Sequence, residues 1–452
     1  MRTIIKNGTV VTTEDTFRAD IQIDNERITG IFQDIIPSEE DRVINAEGQF
    51  VMPGGIDVHT HLNTHDFDSG TIAAATGGTT SLINMTPLEK GQSLADYMKD
   101  WKTRAASSVI DYGFHLMIPG DCYRDDLLDE LPDLADQSGV TSIKLFFGMA
   151  YRENGVVNDA QAYKVMKKAS ELGLMVNVHA ENGQVINEIV DDYLRQGKVE
   201  PIYHALSRPT QMEAEATGRA IAIAEITGAS VYVVHVSSAD ALEQIRMAQK
   251  RGVRVYGETC PQYLVFDESY LTLPGLESAK YVCVPPLRQK WNQDALWTGI
   301  NAGVLSVVGS DHCPFNFKGK KTGGIENFSQ IPNGVPGIED RFLVMYEQGV
   351  HQKRISLQKF VDIMCTKPAK LFGLTKKGAI QVGSDADIVL LDPRRSKIIS
   401  QKTQKQKLDY NLFEGMEVHG VISNVLSRGE LIIQEEQFIG TIGRGRYIRR
   451  SV

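Results

Sequence analysis

None of the five cysteines (Cys122, Cys260, Cys283, Cys313 and Cys365) forms a Cys-x-x-Cys pair, and their number is odd. That pattern excludes a structural zinc finger or a disulfide framework and fits reduced thiols in a cytoplasmic protein. No apolar run reaches the ~18 residues that a membrane-spanning helix needs. No signal-peptide core follows Met1–Arg2–Thr3–Ile4–Ile5–Lys6 either, so neither a membrane nor export is expected. Positive charge is in short supply: the formal net charge is -9, which argues against nucleic acid as a partner. Internal repeats and low-complexity segments are missing too. What is left, 452 residues at 42% hydrophobic and 23% charged, is globular and too long for one small core. One large domain with an accessory one is expected.

The chemistry starts at Gly54–Gly55–Ile56–Asp57–Val58–His59–Thr60–His61–Leu62, fed by the apolar run Gln49–Phe50–Val51–Met52. Asp57, His59 and His61 fall at every second position, so on a strand they share a face. Neutral imidazoles brought together in this way suit a divalent transition metal. An isolated His-x-His pair also arises in ordinary cores, so the rest of the chain has to decide.

Residues 1 to about 50 alternate in short apolar pieces separated by Asn7–Gly8 and Asp24–Asn25, which reads as a small antiparallel sheet. Beyond Gly55 the texture changes, and eight strands are expected: Ile56–His61, Thr80–Met85, Tyr112–Met117, Ser142–Phe147, Met175–His179, Val231–Val236, Arg254–Thr259 and Leu305–Ser310. Helical patterns such as Asp159–Leu172, Met212–Thr227 and Asp240–Arg251 lie between them, with Gly173, Gly228 and Gly252 placed as C-terminal caps. Leu264 to Asn301 is long enough to carry extra helices over one end. Strand-and-turn texture returns after Lys376, in Gly378–Gly383 and Ala386–Leu391. The expectation is an α/β protein, a (β/α)8 TIM-type barrel over 52–375, with a composite β-sandwich from residues 1–51 and 376–452. The basic tail Arg444–Arg450 reads as a solvated or subunit-contact end.

Several of these strands carry a metal-competent side chain near the C-terminal end: His59 and His61, Lys144, His179, His235, and Asp311 just after the last. In a barrel of this kind they would converge on one mouth. A lysine buried beside metals loses its proton readily, and its neutral amine can add CO2 to give an anionic bridging carbamate. His65, His115, His204, His312, His351 and His419 lack such a context and are assigned to loops, packing or hydrogen bonds.

These motifs resemble the cyclic amidohydrolases, nearest to dihydropyrimidinase and hydantoinase. The resemblance runs through Pro53–Leu62, Gly77–Thr80, Asp111–Leu116, Lys144, His179–Glu181, Ser207–Pro209, His235–Ser238, Glu258–Leu264, Gly309–Phe315, Pro332–Arg341 and Gly383–Asp387. It implies a binuclear zinc site (manganese being the alternative), with His59, His61 and Asp311 on the more buried ion. His179 and His235 would hold the second, and carboxylated Lys144 would bridge the two. It further implies a bridging hydroxide as nucleophile and Asp311 as the proton shuttle. Tyr151, Val284 and Asn333 would contact the substrate, and the assembly would be a homotetramer.

Three positions depart from the family pattern. The loop Asn63–Phe67 is short, Tyr151 stands seven residues past Lys144 rather than five, and Val284 replaces a serine. The activity implied is ring opening of 5-substituted hydantoins or dihydropyrimidines to N-carbamoyl amino acids. Allantoin hydrolysis is the alternative, and a non-catalytic scaffold a more distant one that the complete ligand set disfavours.

Overall fold

The computed structural model describes residues 2–149 and 155–451. Two sheets organise it. The first draws on both chain ends. From the N-terminal end come β1 (Arg2–Val11), β2 (Thr16–Asp24), β3 (Arg27–Phe32), β4 (Arg42–Asn45) and β5 (Phe50–Pro53). The second consists of eight strands, β6 (Gly55–Thr60), β7 (Thr79–Pro87), β8 (Asp111–Met117), β9 (Ser142–Phe146), β10 (Met175–His179), β11 (Ser230–Val233), β12 (Val255–Thr259) and β13 (Leu305–Val308). The C-terminal end then adds β14 (Ile388–Ile398), β15 (Glu417–Ser427), β16 (Glu430–Gln434) and β17 (Gln437–Phe438) to the first sheet.

The first sheet runs β17-β16-β15-β14-β5-β1-β2-β3, with β4 beside β1. The two ends meet where β5 pairs antiparallel with β14, Val51 opposite Leu390. The sheet is mostly antiparallel. However, β1 pairs parallel with β4 and β5, which corrects the purely antiparallel expectation for the N-terminal region. Asn7–Gly8 is not a turn either. Asn7 takes φ +64° inside a continuous β1, and the register against β2 slips between Ile5 and Gly8, so the irregularity is a bulge. Ile5, Ile21, Ile28, Val51, Ile388, Leu390 and Leu426 bury a core built from both ends.

The eight strands of the second sheet are all parallel and follow chain order from β6 to β13. All eight expected strands are present. Helices such as Asp159–Glu171, Thr210–Thr227 and Ala239–Lys250 cover the outside, and Asn158 opens the first of these with a reciprocal capping box to Gln161. The Leu264–Asn301 excursion folds into short 3-10 turns and the helix Trp291–Asn301.

The seam between the first and last barrel strands closes by specific contacts rather than by a regular ladder. His61 N donates to His312 O at 2.9 Å, Ser310 N to Asp57 Oδ1 at 3.1 Å, and Ser310 Oγ to the carbonyl of His59 at 3.1 Å. Asp57 therefore serves the seam, with its other oxygen 3.6 Å from the fully buried Arg341, instead of joining the two imidazoles at the mouth. Two strands end earlier than their apolar runs suggest, at Val233 and Val308. His235 (φ +40°) and Asp311 (φ +50°) turn the chain into the left-handed region, which a ladder cannot continue. For non-glycine residues that conformation costs about 1–3 kcal/mol and is typically found where function requires it.

Candidate active site

At the C-terminal ends of the barrel strands lies a cavity of 410 Å³ lined by His59, His61, Lys144, His179, His235 and Asp311 together. Strand alternation delivers most of them: His59 comes from β6 with His61 just beyond it, Lys144 from β9 and His179 from the last position of β10. The two left-handed residues, His235 and Asp311, swing in from the ends of β11 and β13.

The six residues form two linked groups. In the first, His59 Nε2 and His61 Nε2 lie 3.2 and 3.3 Å from Asp311 Oδ1 and 3.3 Å from each other. Ligand atoms spaced about 3.3 Å apart are the edges of a tetrahedron whose metal–nitrogen bonds are ~2.0–2.1 Å. In the second, His179 Nδ1 and His235 Nε2 face each other at 2.9 Å. His59 and His235 stack at 5.4 Å between ring centres and connect the groups.

Carboxylates behind the imidazoles set their tautomers. His59 Nδ1 meets Glu258 Oε1 at 2.6 Å, and His179 Nε2 meets Glu181 Oε2 at 3.2 Å. Each acid takes the ring's N–H, which leaves the opposite nitrogen as a lone pair facing the cavity. Glu258 also accepts from the Tyr232 hydroxyl at 2.8 Å and from His235 N at 3.0 Å. Gly309 lets β13 pass this carboxylate, since a Cβ there would sit 2.7 Å from Glu258 Oε2 and 3.0 Å from the Cβ of His59.

Burial holds His235 neutral, well below its usual range, with help from the neighbouring His179 and Lys144. Burial likewise pushes the Lys144 amine down to about 8. The Asp311 carboxyl is raised by burial, but His59 and His61 outweigh that and keep it below its usual value. Lys144 Nζ and His235 Nδ1 are buried with no hydrogen-bond partner among the described residues. A buried amine without an acceptor is costly, so this donor set fits a centre that the protein alone leaves incomplete. Four imidazoles, a carboxylate and a depressed lysine are a ligand set for borderline divalent metals.

The chain matches the amidohydrolase family over residues 50–432. It is 48% identical to D-hydantoinase of Geobacillus stearothermophilus, across 100% of this chain and 97% of that one. It is 44% identical to D-hydantoinase of Ralstonia pickettii, covering 100% and 99%. The crystal structure of dihydropyrimidinase from Brevibacillus agri NCHU1002 superposes with a TM-score of 0.96 at 49% identity, covering 100% and 99%. The chain belongs to the amidohydrolase family. Within it, the chain is a cyclic amidohydrolase.

In this amidohydrolase, Val284 and Asn333 also line the cavity, whereas Tyr151 lies outside the described residues. Met85, Trp101, Met117 and Phe146 give the same cavity an apolar wall that the motifs did not point to. Glu258 and Glu181 were also missed as functional residues. The available signal was an acid at the end of one predicted strand and just beyond another. The remaining histidines stay out of the cavity. His115 Nε2 bonds Val58 O at 2.9 Å, and His204 Nε2 bonds Cys283 O at 2.8 Å. A separate group, Glu347, His351 and His419, draws its imidazoles together elsewhere. There Glu347 Oε2 accepts from His419 Nδ1 at 3.0 Å and ties β15 to the helical segment before it.

Proposed function

We propose that this amidohydrolase opens the ring of 5-substituted hydantoins and dihydropyrimidines to N-carbamoyl amino acids at a site built for two zinc ions. The observation that carries the reading is the gathering of His59, His61, Lys144, His179, His235 and Asp311 on one cavity. The names of its relatives, D-hydantoinase and dihydropyrimidinase, supply the substrate class. His59, His61 and Asp311 would hold one ion, His179 and His235 the other, and Lys144 would serve both after carboxylation. In that modification the neutral amine bonds to CO2 and releases one proton to solvent, a reaction favoured by an amine at about 8 with no competing partner. When bound, the metals lower the pKa of water and polarise the ring carbonyl.

The chain's own groups do the rest. Asp311 accepts the proton of the attacking water and returns it to the ring nitrogen as the carbon–nitrogen bond breaks. Glu258 and Glu181 keep His59 and His179 in the ligating tautomer. The main chain at Asn333 binds the amide edge of the ring, and Val284 and Tyr151 complete the contact to it. The wall of Met85, Trp101, Met117 and Phe146 receives the ring substituent and excludes water. A homotetramer in the cytoplasm completes the proposal, with light scattering after gel filtration as its check.

The test compares kcat/KM for dihydrouracil, hydantoin, a 5-arylhydantoin and allantoin on zinc-loaded protein. Turnover of the first three, cut by about 10²–10⁴-fold in Asp311→Asn, is the expected result. Allantoin as the sole substrate would overturn the substrate assignment. Unchanged turnover in Asp311→Asn would overturn the role of that carboxylate.

A further inference from the structure

The basic tail is solvated only in part: Arg446 and Arg449 are exposed, but Arg450 is not. Arg450 is 4% exposed, and its guanidinium enters the barrel from the end opposite the cavity. Its main-chain N–H donates to Gly139 O at 3.1 Å, and the next residue, Ser451, donates to Gly373 O at 3.1 Å. Inside, Nη1 donates to Ser142 Oγ at 2.9 Å and Nη2 to the carbonyl of Phe114. Tyr447 and Tyr97 lie beside this guanidinium, both neutral at physiological pH, and no carboxylate of the described residues is paired with it. A buried cation without an anion weakens a fold rather than strengthening it, so stability is a poor reason for its presence.

What Arg450 touches suggests another reason. Ser142 Oγ lies 2.6 Å from His115 Nδ1, and Asn177 Nδ2 lies 2.8 Å from the same nitrogen. His115 Nε2 reaches across the barrel to the carbonyl of Val58 at 2.9 Å. Ser142, Asn177 and Val58 stand two, two and one residues before Lys144, His179 and His59. With alternate residues on one face, Ser142 and Asn177 form the layer directly beneath the ligands on β9 and β10.

The directions in this chain are forced. A guanidinium only donates, so Ser142 Oγ accepts from it and turns its own proton to His115 Nδ1. His115 Nε2 faces a carbonyl and must carry the ring proton. Burial and the nearby Arg450 charge keep that ring from taking a second proton. The Val58 carbonyl sets the tautomer of His115, and Arg450 at the other end occupies the acceptor side of Ser142, so the two together hold the layer in one orientation.

We propose that Arg450 is a positioning residue for the metal centre: through Ser142 and His115 it holds the strand segments that carry Lys144, His179 and His59 in their ligating register. The inference rests on the metal reading of the site given above. It assigns to the last residues of the chain a part in metal retention, exercised from the far end of the barrel.

The test measures zinc release from the loaded enzyme into a chromogenic chelator, beside the melting curve of each variant. Arg450→Ala should release zinc about tenfold faster or more, the scale of losing an outer support of a ligand. Added guanidinium at millimolar concentration should slow that release by refilling the vacated site, and should leave Ser142→Ala unaffected. Ser142→Ala alone should also release faster, and combining the two substitutions should add little. If Arg450→Ala does not fold, Ser142→Ala, which opens almost no space, decides the matter. Release from folded variants at the wild-type rate, or no response of Arg450→Ala to guanidinium, would overturn the proposal. A wild-type protein that takes up no zinc would instead overturn the metal reading itself.

Discussion

Glu258 shows how much of the site depends on a residue that does not face the cavity. Its carboxylate is fully buried and accepts hydrogen bonds from His59 Nδ1, from the Tyr232 hydroxyl and from the main chain of His235. It thus orients one imidazole and braces the strained turn that presents another. Glu258→Gln keeps the size and removes the charge. Zinc affinity, measured by competition with a chelator, should fall about 10–100-fold, while the melting temperature of the metal-free protein moves little. Equal affinity in the two proteins would refute this role. The same comparison shows what a sequence reveals at this scale. His59, His61, Lys144, His179, His235 and Asp311 stand out because ligating side chains recur at the ends of predicted strands, and all six meet on one cavity. Glu258 and Glu181 do not stand out, because an acid at a strand end reads equally well as a solvated rim. Only the distances to the imidazoles separate the two cases.

Among the elements, the strands were legible because a buried parallel strand is a short apolar run bounded by helix caps and turns. Gly173, Gly228 and Gly252 take φ +70°, +71° and +83°, as helix C-terminal caps do. The strand ends were not legible at His235 and Asp311. Their positive φ is held by the tertiary contacts of Glu258 and the β6–β13 seam; Asp and His enter that region more readily than most residues, but too rarely for the type alone to mark the position. The bulge at Asn7 escaped for a related reason: Asn-Gly favours a hairpin turn, and here pairing on both sides of β1 overrode that preference. Gly309 marks a close approach of two elements beside the site. A methyl group there meets the Glu258 carboxylate at 2.7 Å, and that carboxylate is pinned by three hydrogen bonds and has no room to retreat. Gly309→Ala should therefore cost about 1–3 kcal/mol in urea unfolding and impair zinc binding as well. A variant as stable and as metal-competent as wild type would show that β12 and β13 slide apart more freely than their packing indicates.

Across the whole molecule, return of strand texture after Lys376 pointed to a composite β-sandwich, and the ends do join through β5 and β14, in one nine-stranded sheet. The burial of Arg450 was hidden, since a run of arginines looks the same in sequence whether it meets water or the inside of a barrel. Two polar clusters fasten the sheet and the barrel together. In one, Lys377 Nζ reaches Asp111 at the start of β8 (2.6 Å), Asp385 (3.0 Å) and Asp387 (2.7 Å) just before β14. Lys377→Met would strand buried carboxylates and should cost about 3–5 kcal/mol in urea unfolding, a loss whose absence would argue against this contact as a fastener. In the other, Glu339 Oε2 accepts from Lys405 N at 2.7 Å and Gln406 N at 3.3 Å, while Asp340 Oδ2 accepts from Asn411 Nδ2 at 2.8 Å. Burial and the adjacent Asp340 push the Glu339 carboxyl up to about 8, and burial pushes Asp340 up to about 6. An unfolded glutamate gives up its proton near ~4.3. Between that value and about 8 the folded chain holds more protons than the unfolded one, so this pair's contribution to stability is full below the unfolded value and is lost as pH rises through the window. The part of the urea-unfolding midpoint that this pair supplies, read as the difference between wild type and Glu339→Gln, should therefore decline from about pH 5 to about pH 8. Glu339→Gln stays neutral throughout, so the decline should be clearest in its upper half, where Asp340 has already ionised. Parallel pH profiles for the two proteins would mean that Glu339 is ionised in the fold and sits there as an ordinary acceptor of two main-chain hydrogen bonds.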